Sequence, residues 1–145
     1  MSGAIRQQHL LLHQMSKHFV FIYGTLRRGC PGSMSIRFPN SKFVAAAKVN
    51  GSLYDLGLYP GLRLDESNSI VVGEVYEVDD DLLNELDEFE TSSNYVRKQV
   101  EISVAGQRTN CWTYEPDAEF YRFEKLIASG DWMEYSLTRQ HNLPD

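Results

Sequence analysis

The stretch IVVGEVYEVDDDLLNELDEFE, residues 70–90, restricts the fold more than any other part of the sequence. Residues 70–78 are rich in β-branched side chains and predict a strand, in which Gly73 predicts a close approach by another group. Three aspartates follow at once, and carboxylates there suit a helix N-terminus. The buried face of that helix is predicted from apolar residues at helical spacing: Leu82, Leu83, Leu86 and Phe89. A strand therefore leads directly into a helix.

Further strands lie on both sides of this unit in the sequence. Residues 18–23 form a short apolar run that predicts a buried strand. Residues 95–104 and 107–114 predict a hairpin around Ala105-Gly106. Because helices do not regularly separate the strands, a doubly wound parallel sheet is excluded. The order predicts an α+β fold, with a small mixed, curled barrel-like sheet and flanking helices.

The remaining segments carry weaker signals. Residues 42–56 predict either two strands joined by a tight Asn50-Gly51 turn or one long strand with a bulge at Gly51. Residues 57–61 read as irregular. A short helical turn is predicted at residues 33–37, within a loop rich in glycine and proline. Residues 118–129 place apolar side chains at helical spacing and predict a second helix, which Gly130 ends.

The length of 145 residues suits one domain. We expect that domain at residues 17–136, with a flexible extension at 1–16 and a tail at 137–145. The net charge of −6 without a basic cluster argues against nucleic-acid or membrane partners. Cys30 and Cys111 are far apart and form no metal-binding pattern, so we expect reduced thiols and a cytoplasmic protein.

Two features of the sequence can carry chemistry. In FVFIYGTLRRG, residues 19–29, Gly24 follows a strand and permits a tight turn. The successive backbone N–H groups of such a turn can bind an anion. The simpler alternative is an ordinary loop, with Arg27 and Arg28 facing solvent. Glu90 stands at the end of the acidic helix, where the negative end of the helix dipole would raise its pKa.

Three segments together resemble the gamma-glutamylcyclotransferase-like family: FVFIYGTLRRG, VVGEVYEVDDDLLNELDEFE and NYVRKQVEI. The similarity runs from about residue 18 to residue 132. It is closest to the gamma-glutamylamine cyclotransferases and to small bacterial members, which the ending KLIASGDW also resembles. Such proteins adopt a small mixed barrel with flanking helices, in agreement with the fold expected from the residues themselves.

The resemblance implies an enzyme that cyclises a γ-glutamyl group to 5-oxoproline and releases the attached amine. It implies a small-molecule γ-glutamyl substrate and no metal or nucleotide cofactor. Glu90 inherits the role of general acid/base. The substrate-binding residues it implies are those of the loop after the first strand: Tyr23, Gly24, Thr25 and Leu26. Tyr76 and Tyr95 are expected to line the pocket.

Alternatives remain open at this point. The chain can instead be a binding module that keeps the pocket for a γ-glutamyl or carboxylate-bearing ligand without turnover. A purely structural domain is a third interpretation. Neither the leaving amine nor the oligomeric state follows from the sequence. The candidates for the leaving amine are an amino acid, a lysine side chain, a polyamine or another small amine, and glutathione stays open as a substrate.

Overall fold

The computed structural model describes residues 16–65 and 67–141. This part of the chain forms six strands: β1 (Lys17–Ile22), β2 (Lys42–Asp55), β3 (Pro60–Leu64), β4 (Ile70–Asp79), β5 (Tyr95–Val104) and β6 (Gln107–Pro116). It also forms three helices: α1 (Met34–Arg37), α2 (Asp80–Thr91) and α3 (Trp132–His141). The predicted first strand, central strand, acidic helix, hairpin and short helical turn are therefore confirmed.

The strands form one curled sheet in the order β3-β2-β4-β1-β6-β5. Its pairs are antiparallel except for β1 and β6, which are parallel. The curl brings the two edge strands together. The Tyr95 hydroxyl on β5 donates to the Pro60 carbonyl on β3 at 2.6 Å. The expected α+β class with a mixed, curled sheet is confirmed.

Strand β1 lies inside the sheet and supplies side chains to a core on each face. Phe21 packs in one cluster with Leu53 and Val75. Val20 and Ile22 point to the other face and pack with apolar residues of α2. Alternate residues of a strand point to opposite faces, so burial on both sides requires the continuous apolar run seen in the sequence.

Strand β2 is one long strand that changes partners. Its first part pairs with β4 as far as Asn50, and its second part pairs with β3 from Gly51 onward. The tight-turn alternative is therefore wrong, and the bulge lies between Phe43 and Ala45 rather than at Gly51. Strand β3 replaces part of the irregular segment predicted at 57–61, because pairing with β2 imposes an extended backbone.

The helix predicted at residues 118–129 is wrong. That segment runs beside the end of β2, where Asp55 N–H donates to the Lys125 carbonyl at 2.8 Å. Ile127 N–H donates to the Leu53 carbonyl at 2.7 Å. These long-range hydrogen bonds outweigh the helical spacing of the apolar residues, and Phe120 stays exposed. Helix α3 begins only after Gly130, whose φ is +66°.

The expected boundary between domain and tail at residue 136 falls within helix α3. Residues 1–15 of the expected N-terminal extension lie outside the described residues. Cys30 and Cys111 are both free thiols. None of the three helices described above has the length and apolar character that crossing a membrane requires.

The packing at Gly73 generates a prediction about stability. A Cβ at this position of β4 would lie 2.3 Å from the Ile22 carbonyl oxygen and 2.8 Å from Phe21 Cζ. The backbone of β1 cannot shift without disturbing the sheet. Gly73→Ala should therefore lower the free energy of unfolding by about 2–3 kcal/mol. Urea denaturation measures this change.

Gly32→Ala is the matched control for that experiment. The Cβ it adds would meet only the flexible side chain of Arg37, 2.9 Å from Nε. We expect a loss well under about 1 kcal/mol, as is usual for surface substitutions. Equal losses in the two variants would contradict the close approach of β1 to Gly73.

Candidate active site

A buried ion pair anchors the loop that follows β1. Arg27 Nε donates to Glu74 Oε2 of β4 at 2.8 Å, and the two side chains are 14 % and 8 % exposed. Glu74 also accepts from Arg28 N–H at 2.9 Å and from the Tyr76 hydroxyl at 3.1 Å. Arg27 reaches Asp131 as well, at 3.0 Å. The expectation that Arg27 faces solvent is therefore wrong, and this residue fixes the loop to the middle of the sheet.

Between β1 and this anchor, the backbone makes a turn with unused donors. Arg27 N–H donates to the Gly24 carbonyl at 3.0 Å, and Met34 N–H donates to the Leu26 carbonyl at 2.8 Å. The N–H groups of Gly24, Thr25 and Leu26 donate to no described residue. Successive free amides in a turn form a concavity that suits an anion.

Glycine at position 24 is required by packing. A Cβ there would lie 2.9 Å from Pro60 Cγ, at the start of β3. The loop and β3 thus approach each other closely, and they form two walls of one cavity.

The cavity has a volume of about 230 Å³. Its buried residues, called the floor here, come from four strands and the loop: Phe21, Ile22, Tyr23, Leu26, Pro60, Tyr95 and Tyr114. Its half-buried and exposed residues, called the rim, surround the opening: Gly24, Thr25, Arg37, Tyr59, Phe89, Glu90 and Ser93. The site is small, largely aromatic and open to solvent on one side.

The floor tyrosines shape the cavity with their rings, because their hydroxyls already have partners. Tyr23 donates to the Tyr114 carbonyl at 2.6 Å and accepts from Leu62 N–H at 3.1 Å. Tyr95 donates to the Pro60 carbonyl. Tyr114 donates to Asp87 Oδ1 at 2.6 Å. Burial raises the pKa of all three hydroxyls, so these rings stay neutral.

Glu90 is the acidic residue of the cavity and lies in the last turn of α2. Burial raises its pKa from the ordinary value of 4.5 to about 7. The cause is desolvation by burial rather than the helix end that the sequence suggested. Glu90 is half-buried, and its carboxyl group forms no hydrogen bond or ion pair with any described residue.

Asp87 fixes the helix that carries Glu90. It stands one turn earlier on α2, accepts the Tyr114 hydroxyl, and pairs with Arg97 at 3.2 Å. Residues three apart lie on the same side of a helix. The Asp87 contacts to β6 and β5 therefore hold the Glu90 side of α2 toward the cavity.

The cavity brings together most of the residues that the sequence predicted for the site. It is lined by the whole Tyr23–Leu26 turn, Glu90 and Tyr95. Tyr76 does not line it; this residue packs in the core and donates to Glu74. Among the lining residues that the sequence did not predict, four are polar: Arg37, Tyr59, Ser93 and Tyr114. No local signal marks them, because the cavity is built from segments that are far apart in the chain.

The Arg27–Glu74 pair generates a prediction. Removing one partner leaves an uncompensated buried charge, which typically costs about 3–5 kcal/mol. We expect Arg27→Met to lower the free energy of unfolding by that amount in urea denaturation. The control is Arg122→Met, at an exposed arginine, which should change it by less than about 0.5 kcal/mol. Similar effects of both variants would contradict the anchoring role.

A second prediction follows from the raised pKa of Glu90. Because folding favours the neutral carboxyl, the stability due to this group is present below pH 4.5 and is lost as pH rises through 7. Glu90→Gln cannot ionise. The wild type loses stability as Glu90 ionises, and the variant does not. From pH 4.5 to pH 8.5, the unfolding free energy of the variant should therefore rise relative to that of the wild type by up to about 3 kcal/mol.

Urea denaturation at both pH values measures this gain. The control is Glu124→Gln, at an exposed glutamate, which should show no comparable gain. A difference between Glu90→Gln and wild type that stays constant with pH would rule out a desolvated carboxyl at position 90.

Comparison with known proteins identifies the family of this chain. Residues 20–134 match the family described as gamma-glutamyl cyclotransferase, AIG2-like. A Vibrio cholerae relative, whose gamma-glutamylcyclotransferase name is provisional, is 37 % identical over 119 residues, or 81 % of this chain and 97 % of that protein. The gamma-L-glutamyl-butirosin B gamma-glutamyl cyclotransferase of Niallia circulans is 32 % identical over 126 residues, covering 81 % of this chain and 77 % of that protein.

A solved structure shares the architecture. The crystal structure of an AIG2-like protein from Mus musculus superimposes with a TM-score of 0.68 at 25 % identity. The alignment covers 80 % of this chain and 88 % of the mouse protein. The chain therefore belongs to the gamma-glutamyl cyclotransferase, AIG2-like family.

Proposed function

We propose that this chain is a gamma-glutamylcyclotransferase that converts the γ-glutamyl group of a γ-glutamyl amine or amino acid to 5-oxoproline and releases the free amine. One observation carries the proposal. A carboxyl group with a pKa of about 7 and a turn of unused backbone amides line the same small cavity. The first can move protons, and the second can hold an anion.

The cavity suits a γ-glutamyl group. At about 230 Å³ it lies below the roughly 300–1,000 Å³ of drug-sized ligand pockets, so it takes a small group. The amides of Gly24, Thr25 and Leu26 would bind the α-carboxylate of the substrate. The methylene groups would lie on the aromatic floor. The leaving amine would then extend through the rim.

The reaction is intramolecular. The α-amine of the γ-glutamyl group attacks its own γ-carbonyl carbon, a five-membered lactam closes, and the bond to the leaving nitrogen breaks. The amine attacks in its neutral form; it loses one proton as the lactam closes, and the leaving nitrogen gains one, so no other reactant is consumed. Both reacting groups belong to one molecule, and holding them in a reactive geometry supplies much of the rate enhancement.

Glu90 is proposed to carry that proton as general base and then general acid. An α-amine has an ordinary pKa of about 7.7–8.0, far above that of an ordinary glutamate. A carboxyl with a pKa of about 7 closes most of this gap, and a matched pKa makes proton transfer efficient in both directions. Since Glu90 has no described partner, its oxygens are available to the substrate.

The relatives support the same chemistry. The name of the Niallia circulans protein states a γ-glutamyl cyclotransferase acting on a γ-glutamyl derivative of butirosin B. For this chain we propose the reaction type and not that substrate. We also propose that it works in the cytoplasm, where free thiols such as Cys30 and Cys111 persist.

The proposal predicts the effect of removing the carboxyl. Glu90→Gln keeps the volume of the side chain but cannot exchange a proton, so kcat should fall by about 10²–10⁴-fold. A panel of γ-glutamyl amines and amino acids, with 5-oxoproline as the detected product, measures it. Circular dichroism would show whether the variant stays folded.

The activity control is Glu124→Gln, at an exposed glutamate that does not line the cavity. This variant should retain wild-type turnover. Full activity in Glu90→Gln would exclude Glu90 as the acid/base. Absence of 5-oxoproline across the panel with wild-type protein, combined with measurable binding, would favour the binding-module alternative.

A further inference from the structure

Arg37 gives the rim of the cavity a fixed positive charge. Among the residues that line the cavity, only Arg37 and Glu90 have side chains of a type that is ordinarily charged at neutral pH. An arginine stays protonated at any working pH. Thr25 and Ser93 add neutral hydroxyl groups to the same rim. The rim therefore presents a cation beside the opening through which the leaving group must pass.

The Arg37 side chain is held in place without an anionic partner. Its guanidinium lies 5.1 Å from the centre of the Phe89 ring. Its Nε packs close to Gly32: a Cβ added to Gly32 would lie 2.9 Å from that nitrogen. No carboxylate oxygen of a described residue lies within 4.0 Å of the guanidinium, and the guanidinium makes no hydrogen bond to a described residue. Its N–H donors are thus free for a ligand.

Two glutamates of α2 share a second groove with Arg37. Glu85 and Glu88 border this groove together with Arg37, Phe38 and Phe89. Arg37 and Phe89 line both the groove and the cavity, whereas Glu85 and Glu88 do not line the cavity. A leaving group at the rim would therefore face the Arg37 guanidinium and neither of these two glutamates.

We propose that Arg37 binds a carboxylate on the leaving group, so that the preferred substrates are γ-glutamyl amino acids rather than γ-glutamyl alkylamines or polyamines. This inference rests on the proposed function, which places the γ-glutamyl group on the floor and the leaving group at the rim. In a γ-glutamyl amino acid, one carbon atom separates the leaving nitrogen from its carboxylate. That carboxylate leaves the cavity beside the rim, and a guanidinium can bind it with two parallel hydrogen bonds.

Two substrates that differ only in this carboxylate test the proposal. γ-Glutamyl-alanine and γ-glutamyl-ethylamide have the same leaving skeleton, and the second lacks the carboxylate. We expect wild-type kcat/KM to favour γ-glutamyl-alanine by about 10-fold, as one charge-assisted contact would give. Arg37→Met should reduce this ratio to near one by raising KM for γ-glutamyl-alanine alone. Arg37→Lys, which keeps the charge without the planar fork, should retain part of the preference.

The other outcomes overturn the inference. If Arg37→Met slows both substrates equally, Arg37 serves the α-carboxylate that they share, or only the structure. If it changes neither, the guanidinium does not contact the substrate. A wild-type preference for γ-glutamyl-ethylamide or for a γ-glutamyl polyamine would also contradict it. Arg122→Met, at an exposed arginine outside the cavity lining, is the control and should keep the wild-type ratio.

Calorimetry separates this inference from the proposed function. If wild-type protein forms no 5-oxoproline from either compound, the proposed catalysis fails. Binding of the same two compounds to wild type and to Arg37→Met then tests the carboxylate contact alone. A roughly 10-fold tighter Kd for γ-glutamyl-alanine that Arg37→Met abolishes supports the subsite. Equal affinities, or no binding of either compound, overturn it.

Discussion

The buried ion pair between Arg27 and Glu74 is the interaction on which the site depends. Glu74 lies in the middle of β4 and accepts from the Arg27 guanidinium and the Arg28 amide, so it fixes the loop after β1. The same strand ends at Asp79, whose side chain caps α2 by accepting from Leu82 N–H at 2.8 Å. Strand β4 therefore positions both the loop with its free amides and the helix that carries Glu90.

A second constraint is the use of polar groups around the cavity. The hydroxyls of Tyr23, Tyr95 and Tyr114 are all committed to protein partners, which locks their rings. Among the polar groups left without a described partner are the loop amides, the Glu90 carboxyl and the Arg37 guanidinium. A site built in this way is organised before substrate arrives, and preorganised donors lose little free energy in reorientation during the reaction.

The sequence predicted those parts whose signals are local. Strand β4 and helix α2 follow from β-branched residues and an aspartate cap, and the hairpin follows from alternation around Ala105-Gly106. Long-range pairing decided the parts that were missed. Residues 118–129 carry a helical spacing, but hydrogen bonds that join residues 125 and 127 to Asp55 and Leu53 on β2 prevent a helix there.

The same distinction applies to the site. Tyr23–Leu26 and Glu90 were predicted from a strand exit, a helix end and a family resemblance. The buried state of Arg27 was not, because its partner Glu74 lies 47 residues away in the chain. Tyr59 reaches the cavity because it stands beside β3, while Arg37 reaches it through α1, whose Met34 N–H donates to the Leu26 carbonyl of the loop. The sequence carries no signal for a position that depends on the approach of β3 to the loop.

The central claim is that Glu90 is a desolvated carboxyl poised to exchange protons in this cavity. Carbon-13 NMR titration of the side-chain carboxyls tests it most directly, with the Glu90 resonance assigned by its loss in Glu90→Gln. The account predicts a titration midpoint near 7, and a further change of that midpoint when 5-oxoproline is added. A midpoint near 4.5 that 5-oxoproline does not alter would contradict it.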